Sequence, residues 1–324
     1  MKPLSPNDHF QSEGNAAEES PAGTMDPVPG LDRFGEQFFK LFNRAGHRRL
    51  FSLYLRALVS LPAKTIEGMA GALAGSTEER GTLAQSLQHF ISTSPWDEGL
   101  LLSAWARRAR ETIFSGVGPV ILTLAEIDIP KKGSQSVGVQ RQLARSSNRK
   151  LNCQVAVSVG LASASFHLPI SVRLYLPGRW LADDSGAVER TVPEEHRRFV
   201  PKEEIATRLV DEWLPLALPV AGIAAEQSLA PPGGALESHV SGLGVPIAVP
   251  ESSRISGSAD GLSLVVARRA LELARKSHQV LREEYGLCQF EGRSWRGWHH
   301  HAAITCLAFG FGLWSRPATV PGTR

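Results

Sequence analysis

Cysteine is scarce: the 324 residues contain three, Cys153, Cys288 and Cys306. An odd number at no metal-ligand spacing excludes a disulfide framework and a zinc ribbon, and it favours a reducing compartment with the thiols as small buried residues. No long hydrophobic run is present either. The most apolar stretch, Ala302 to Trp314, is about half of the ~20 residues a membrane helix needs. The N-terminus lacks a basic segment followed by an apolar one, so no secretory signal is expected. Together these absences predict a soluble, cytoplasmic protein. A Gly-x-Ser-x-Gly elbow, a phosphate-cradling P-loop and a dinucleotide fingerprint are also missing, which removes three common enzyme classes.

What is there is ordinary globular material, 42% hydrophobic and 21% charged, which argues against disorder throughout. The charge is uneven. One lysine against five acids gives residues 1–30 a net −4, which leaves +7 on the remainder of a chain whose total is +3. Residues 1–30 are rich in Ser, Pro, Gly, Glu and Asn and are expected to form a disordered acidic tail. The basic remainder suits a polyanion such as nucleic acid, a pattern that enzymes with small anionic substrates share.

From Leu31 the spacing becomes helical. Phe34, Phe38 and Phe42, then Leu50, Leu53, Tyr54, Leu55 and Leu58 recur at helical intervals up to Pro62, and short helices follow over 65–74 and 83–91. Asp97 is placed to cap the next helix, which carries Trp105 and the basic stripe Arg107, Arg108 and Arg110. Residues 31–115 therefore read as a helical N-terminal module. Near Gly116 the period changes to that of strands: 117–129, 136–139, 152–161 and 170–176 suggest an antiparallel meander. A helix over 201–216, short strands at 219–225 and 245–249, and helices over 259–285 and 298–313 complete a mixed α/β domain over 116–314, with a tail at 315–324.

Two segments carry possible chemistry. Ile129 to Val139 (IPKKGSQSVGV) places Lys131 and Lys132 after a strand, as a cationic lip for phosphate or as a solvated hairpin connection. Phe290 to His301 (FEGRSWRGWHHH) interleaves Arg293, Trp295, Arg296 and Trp298. That pairing suits a DNA backbone and unstacked bases, or equally a loop whose tryptophans pin the last helix to the sheet. His299, His300 and His301 point in different directions on a helix and cannot all ligate one metal.

The strings PKKG-SVGV-RQ (Pro130 to Gln142), NCQVAVS (Asn152 to Ser158), RLYLP-W (Arg173 to Trp180) and GL-EGRSWRGWHHH (Gly286 to His301), with PWD at Pro95 to Asp97, occur in one order. In this the chain resembles bacterial DDE transposases of the insertion sequence seven-oh-one family, over roughly 32–225 and 259–313. The resemblance implies a ribonuclease H-like mixed sheet flanked by helices, preceded by the all-helical module. It further implies two aspartates and a glutamate holding two divalent ions, Mg²⁺ or Mn²⁺, for phosphoryl transfer on DNA.

The three positions are degenerate here. Counting from the motifs, the first aspartate falls on Ala125, the second on Glu226 and the glutamate on Arg275, and the insertion between the last two is much shortened. Possible substitute ligands are Glu126, Asp128 and Glu272. Glu272 lies one turn before Arg275 on nearly the same helical face. Glu126 and Asp128 lie an odd number of residues from Ala125, so a strand points them to the opposite side of the sheet.

Three readings follow. The first is a transposase-derived DNA-binding protein without cleavage, and therefore without a metal cofactor. Its phosphate and base contacts would be Lys131, Lys132, Arg141, Arg145, Arg149, Lys150, Arg293, Trp295, Arg296 and Trp298, on duplex DNA, in a monomer or a homo-oligomer. The second is an active metal-dependent transposase with shifted ligands. The third is a scaffold on the same fold with no DNA role.

Overall fold

Side-chain caps set where the helices begin. The hydroxyls of Thr65, Ser76, Ser263 and Ser294 and the carboxylate of Asp97 each accept a backbone N–H three residues on, at 2.9–3.2 Å, satisfying donors that a helix start leaves unpaired. The computed structural model describes residues 28–216, 219–257 and 261–315. The expected tails therefore lie outside the described residues, apart from residues 28–30 and 315.

The N-terminal region is helical: α1 (Leu31–Glu36), α2 (Ala45–Ser60), α3 (Ile66–Leu73), α4 (Thr77–Ser92) and α5 (Glu98–Thr112). The strands and later helices are β1 (Val120–Pro130), β2 (Gln140–Ala144), β3 (Arg149–Ala162), β4 (His167–Tyr175), α6 (Gly178–Leu181), α7 (Ala187–Thr191) and α8 (Lys202–Trp213). After them come β5 (Val220–Ala225), α9 (Ala235–Gly242), β6 (Ile247–Val249), β7 (Arg254–Ser256), α10 (Leu264–Glu283) and α11 (Trp295–Trp314).

These strands form one mixed sheet. β1 lies at its centre, antiparallel to β3 and parallel to β5, with β6 parallel to β5 and β7 antiparallel to β6. The long β3 pairs with β2 through its first residues and with β4 through the rest. β1, β3 and β4 are the expected antiparallel meander, and the parallel β5 and β6 beyond β1, with α8 in the crossover, complete the ribonuclease H-like fold. One expectation fails locally: 136–139 is not a strand. Gly138 takes a positive φ of 69°, which bends the chain, and pairing begins at Gln140.

α11 ties the parts together. From Gly297 to Phe311 every residue is buried, as an all-round apolar helix requires. It packs along β4 and against α2, α4 and α5, so one core runs from Phe34 through Trp105 and Phe311 to Val157 and Trp213. Gly310 permits the contact with α5, since a Cβ there would lie 2.2 Å from the Trp105 indole.

The three consecutive histidines serve as brackets for this helix. His301 lies between the Tyr54 hydroxyl (2.8 Å) and the Gly286 carbonyl (3.0 Å). His300 stacks on Trp96 with ring centroids 3.7 Å apart, its nitrogens facing the carbonyls of Ile91 and Trp96. His299 accepts the Leu174 N–H at 3.3 Å and holds the Trp295 carbonyl at 2.9 Å. Burial pushes the pKa of His301 down to about 3 and that of His300 to about 4, the latter against the pull of its two carbonyls.

Candidate functional site: the crevice between β1 and β5

β1 and β5 run side by side only to Leu124 and Ala225. The last main-chain bond joins the Glu226 N–H to the Leu124 carbonyl at 3.0 Å, and the strands then part. The Glu226 side chain continues the ladder that the backbone abandons: its Oε2 accepts the Glu126 N–H at 3.0 Å. A carboxylate is thereby fixed in the crevice at the carboxyl ends of two parallel strands, where open α/β sheets place ligands.

α10 crosses the face of the sheet that carries Ala125. Ala125, Ala224, Ala248, Ala267, Ala270 and Leu271 form the seam, and their small side chains let helix and sheet approach closely. One turn further, Arg275 reaches off α10 into the crevice. Its Nε donates to Glu226 Oε1 at 3.2 Å and its terminal nitrogen to Glu251 Oε1 at 3.0 Å. Glu251, in the 3-10 turn Pro250–Ser252 after β6, also accepts the Gln227 N–H at 2.8 Å. Beneath Ala125, the buried His278 lies 2.9 Å from the Ser158 hydroxyl, which donates to the Ala125 carbonyl at 3.0 Å. Burial, then the nearby His167 ring, hold His278 well below its ordinary pKa, so a neutral imidazole underlies the crevice.

The substitute ligands are engaged elsewhere. Glu126, one residue from Ala125, emerges on the other face, where its carboxylate meets Lys202 Nζ at 2.6 Å and Arg145 at 3.6 Å. Asp128 accepts the Ser146 N–H and hydroxyl at 3.0 and 2.5 Å and pairs with Arg282 at 3.4 Å. Glu272 sits half-exposed on α10 beside Arg269, 3.9 Å away. Each of these carboxylates thus has a basic partner. Burial raises the Glu226 pKa from its usual range, opposed by the Glu126 N–H and the Arg275 charge.

Of the residues expected to touch DNA, two are structural, which corrects those expectations. Lys131 donates to the carbonyls of Cys288 and Phe290 at 3.1 and 2.7 Å, bracing the end of β1 against the loop before α11. Trp298 is 1% exposed and lies in the core. Trp295 stacks with His196 at 4.9 Å and lies tilted against His299 at 4.2 Å between ring centroids, so it is already engaged within the chain. Arg145 is committed to Glu126. Lys132, Arg141, Arg149, Lys150, Arg293 and Arg296 remain exposed, Arg296 also reaching the Thr93 carbonyl at 3.3 Å. Arg141 and Lys150 sit on the paired strands β2 and β3, whose register places Arg141 opposite Asn152 and Lys150 opposite Leu143.

Lys202, Glu251 and Arg282 were not among the expected site residues. Each comes from an element far from β1 in sequence, Lys202 on α8, Glu251 after β6 and Arg282 on α10, and only the tertiary packing brings it in; no local spacing signals it. A second concavity of about 370 Å³ lies between β4, α8 and the 195–200 loop. Arg173 on its wall is already held by Glu98 at 3.5 Å and by Glu212 at 3.0 Å.

Antiparallel β1, β3 and β4 joined to parallel β5 and β6, with a crevice where β1 and β5 part, give the ribonuclease H-like class of fold. The chain belongs to the DDE superfamily endonuclease family, whose family model matches residues 37–222. It is also similar to a probable transposase for insertion sequence element IS701 from Microchaete diplosiphon, 27% identical over 168 residues that make up 52% of this chain and 42% of that protein. The chain thus spans less than half of that relative. The family match ends before Glu226, so Glu226 and Arg275, two of the three positions expected from the motifs, fall beyond it.

The divalent ions implied by the resemblance do not fit the residues present. Ala125 offers no oxygen, Arg275 brings a positive charge to a position that needs a hard anionic donor, and both oxygens of Glu226 are already bonded. Among the described residues no three His, Cys, Asp or Glu side chains are grouped to hold a metal, and no helix is long and apolar enough to cross a membrane.

Proposed function

We propose that the chain binds duplex DNA in the cytoplasm as a transposase-family protein that has lost strand cleavage, with the helical module 31–115 and the domain 116–314 acting together. The observation that carries this reading is the Arg275 guanidinium, seated between Glu226 and Glu251 at 3.2 and 3.0 Å, where the family's chemistry calls for a carboxylate. A positive side chain there repels metal ions, while Glu126 and Asp128 are held by basic partners and Glu272 stands half-exposed beside Arg269. Lys132, Arg141, Arg149, Lys150, Arg293 and Arg296 are the phosphate contacts. They hold the duplex in register without reading its bases.

Purified protein titrated with duplex DNA at increasing salt tests this directly. Six phosphate contacts predict that log K falls with log salt at a slope of about −5. Absence of salt-sensitive binding would sink the proposal and favour a scaffold role. Incubation of the same DNA with Mg²⁺ or Mn²⁺ should leave it intact, and metal-dependent nicking abolished by Glu226→Ala would restore the active-transposase reading.

A further inference from the structure

We infer that Arg275 is an internal replacement for a divalent cation, and that it makes this crevice independent of metal. This deepens the proposed loss of cleavage by naming the cation that now neutralises the site, and its test needs no DNA.

Three chain segments end at the crevice, each delivering a polar group: β1 through the Glu126 N–H, β5 through Glu226, and the turn after β6 through Glu251. Glu226 is 6% exposed and Glu251 31%. Two carboxylates facing one space repel each other unless a cation lies between them. The guanidinium lies there, and it donates to both in the forked geometry that suits arginine to bridging carboxylates. Its own exposed outer side, 50% accessible, leaves it a partly solvated ion, as a hydrated metal would be. Mg²⁺ and Mn²⁺ are commonly held by one or two carboxylates plus water, which is the donor set that would remain once the guanidinium is removed. Arg275 therefore performs two acts of such an ion, charge neutralisation and cross-linking of β5 to the turn after β6. It performs no third, because a guanidinium has no vacant coordination site with which to polarise an oxygen or acidify a bound water.

Thermal unfolding of the full chain in EDTA and in Mn²⁺, with manganese binding followed by electron paramagnetic resonance, tests the assignment. The wild type should bind no manganese and show one Tm in both solutions. Arg275→Ala should unfold several degrees lower in EDTA and recover most of that loss in Mn²⁺, with a bound-manganese signal. The double variant Arg275→Ala with Glu251→Gln should neither recover nor bind. Arg275→Lys, which keeps the charge, should remain indifferent to metal. Should Arg275→Ala fold only when Mn²⁺ is present, the inference stands. It is overturned if Mn²⁺ shifts the wild type as much as Arg275→Ala, or if Arg275→Ala and the longer Arg275→Gln both stay destabilised or unfolded with Mn²⁺ present. Those outcomes leave the salt-dependent DNA titration untouched, so the two claims fail separately.

Discussion

The crevice and the α11 seam both bury polar side chains, yet they do so by opposite means. Around the ends of β1 and β5 the acidic side chains of Glu126, Asp128 and Glu226 each meet a basic partner, Lys202 and Arg145, Arg282, or Arg275. Along α11 the groups are histidines kept neutral, bonded to backbone carbonyls and to Tyr54. A buried charge needs a countercharge, whereas a buried neutral ring needs only hydrogen-bond partners. The charged pairs therefore depend on charge balance, while the seam depends on shape and on staying unprotonated.

The largest effect expected of a single substitution would break the seam by shape alone. Gly310→Val pushes side-chain atoms into the Trp105 indole, 2.2 Å from the site of a Cβ, and should cost about 3 kcal/mol as an overpacked core, read as a lower midpoint in chemical denaturation.

Acid comes next, and it moves the buried histidines and Glu226 in opposite directions. His301 and the equally buried His167 have folded pKa values lowered to about 3. Their contribution is complete above the unfolded value near 6.5 and is lost as pH falls below it, by about 2 kcal/mol for each ring at pH 5. Glu226 runs the other way: its raised pKa means that protonation on the way down to the ordinary carboxylate range favours the folded state. Stability measured from pH 7 to 5 should therefore fall, and His301→Asn, less stable at pH 7, should fall less steeply. A wild-type curve flat over that range would break the distinction.

The smallest effect belongs to the face of β1 opposite the crevice. Lys202→Met leaves Glu126 with only Arg145 at 3.6 Å. Because Lys202 is 28% exposed, the loss should be about 1 kcal/mol, well below that of a fully buried pair. Denaturant titration at pH 7 provides the check, and raising the salt should shrink the difference.

Much of the fold was legible in the sequence because local signals carry it. Asp97 does cap α5, Pro62 does close α2, and the helix expected over 201–216 is α8 at 202–213. The segment 136–139 misled because its valines read as strand, while the positive φ at Gly138 turns them into the approach to β2. The candidate site was half legible. Motif spacing led to Glu226 and Arg275, whose side chains meet, but it gave no access to Glu251 or Lys202, which arrive through tertiary packing. Lys131 and Trp298 looked like DNA contacts because spacing reports residue type and is blind to burial. A lysine that snorkels onto two carbonyls, or an indole facing inward, has the same sequence signature as one facing a phosphate.

The seam also carries a consequence for how the chain acquires its shape. Tyr54 waits for a histidine 247 positions later, and the carbonyl of Ile91 for one 209 positions later. During synthesis the aromatic surfaces of α1, α2, α4 and α5 stand without their covering helix while the whole sheet is being made. Contacts of such range close slowly and leave sticky intermediates in the interval, so the first half of the molecule is the part that a chaperone would be called on to shield.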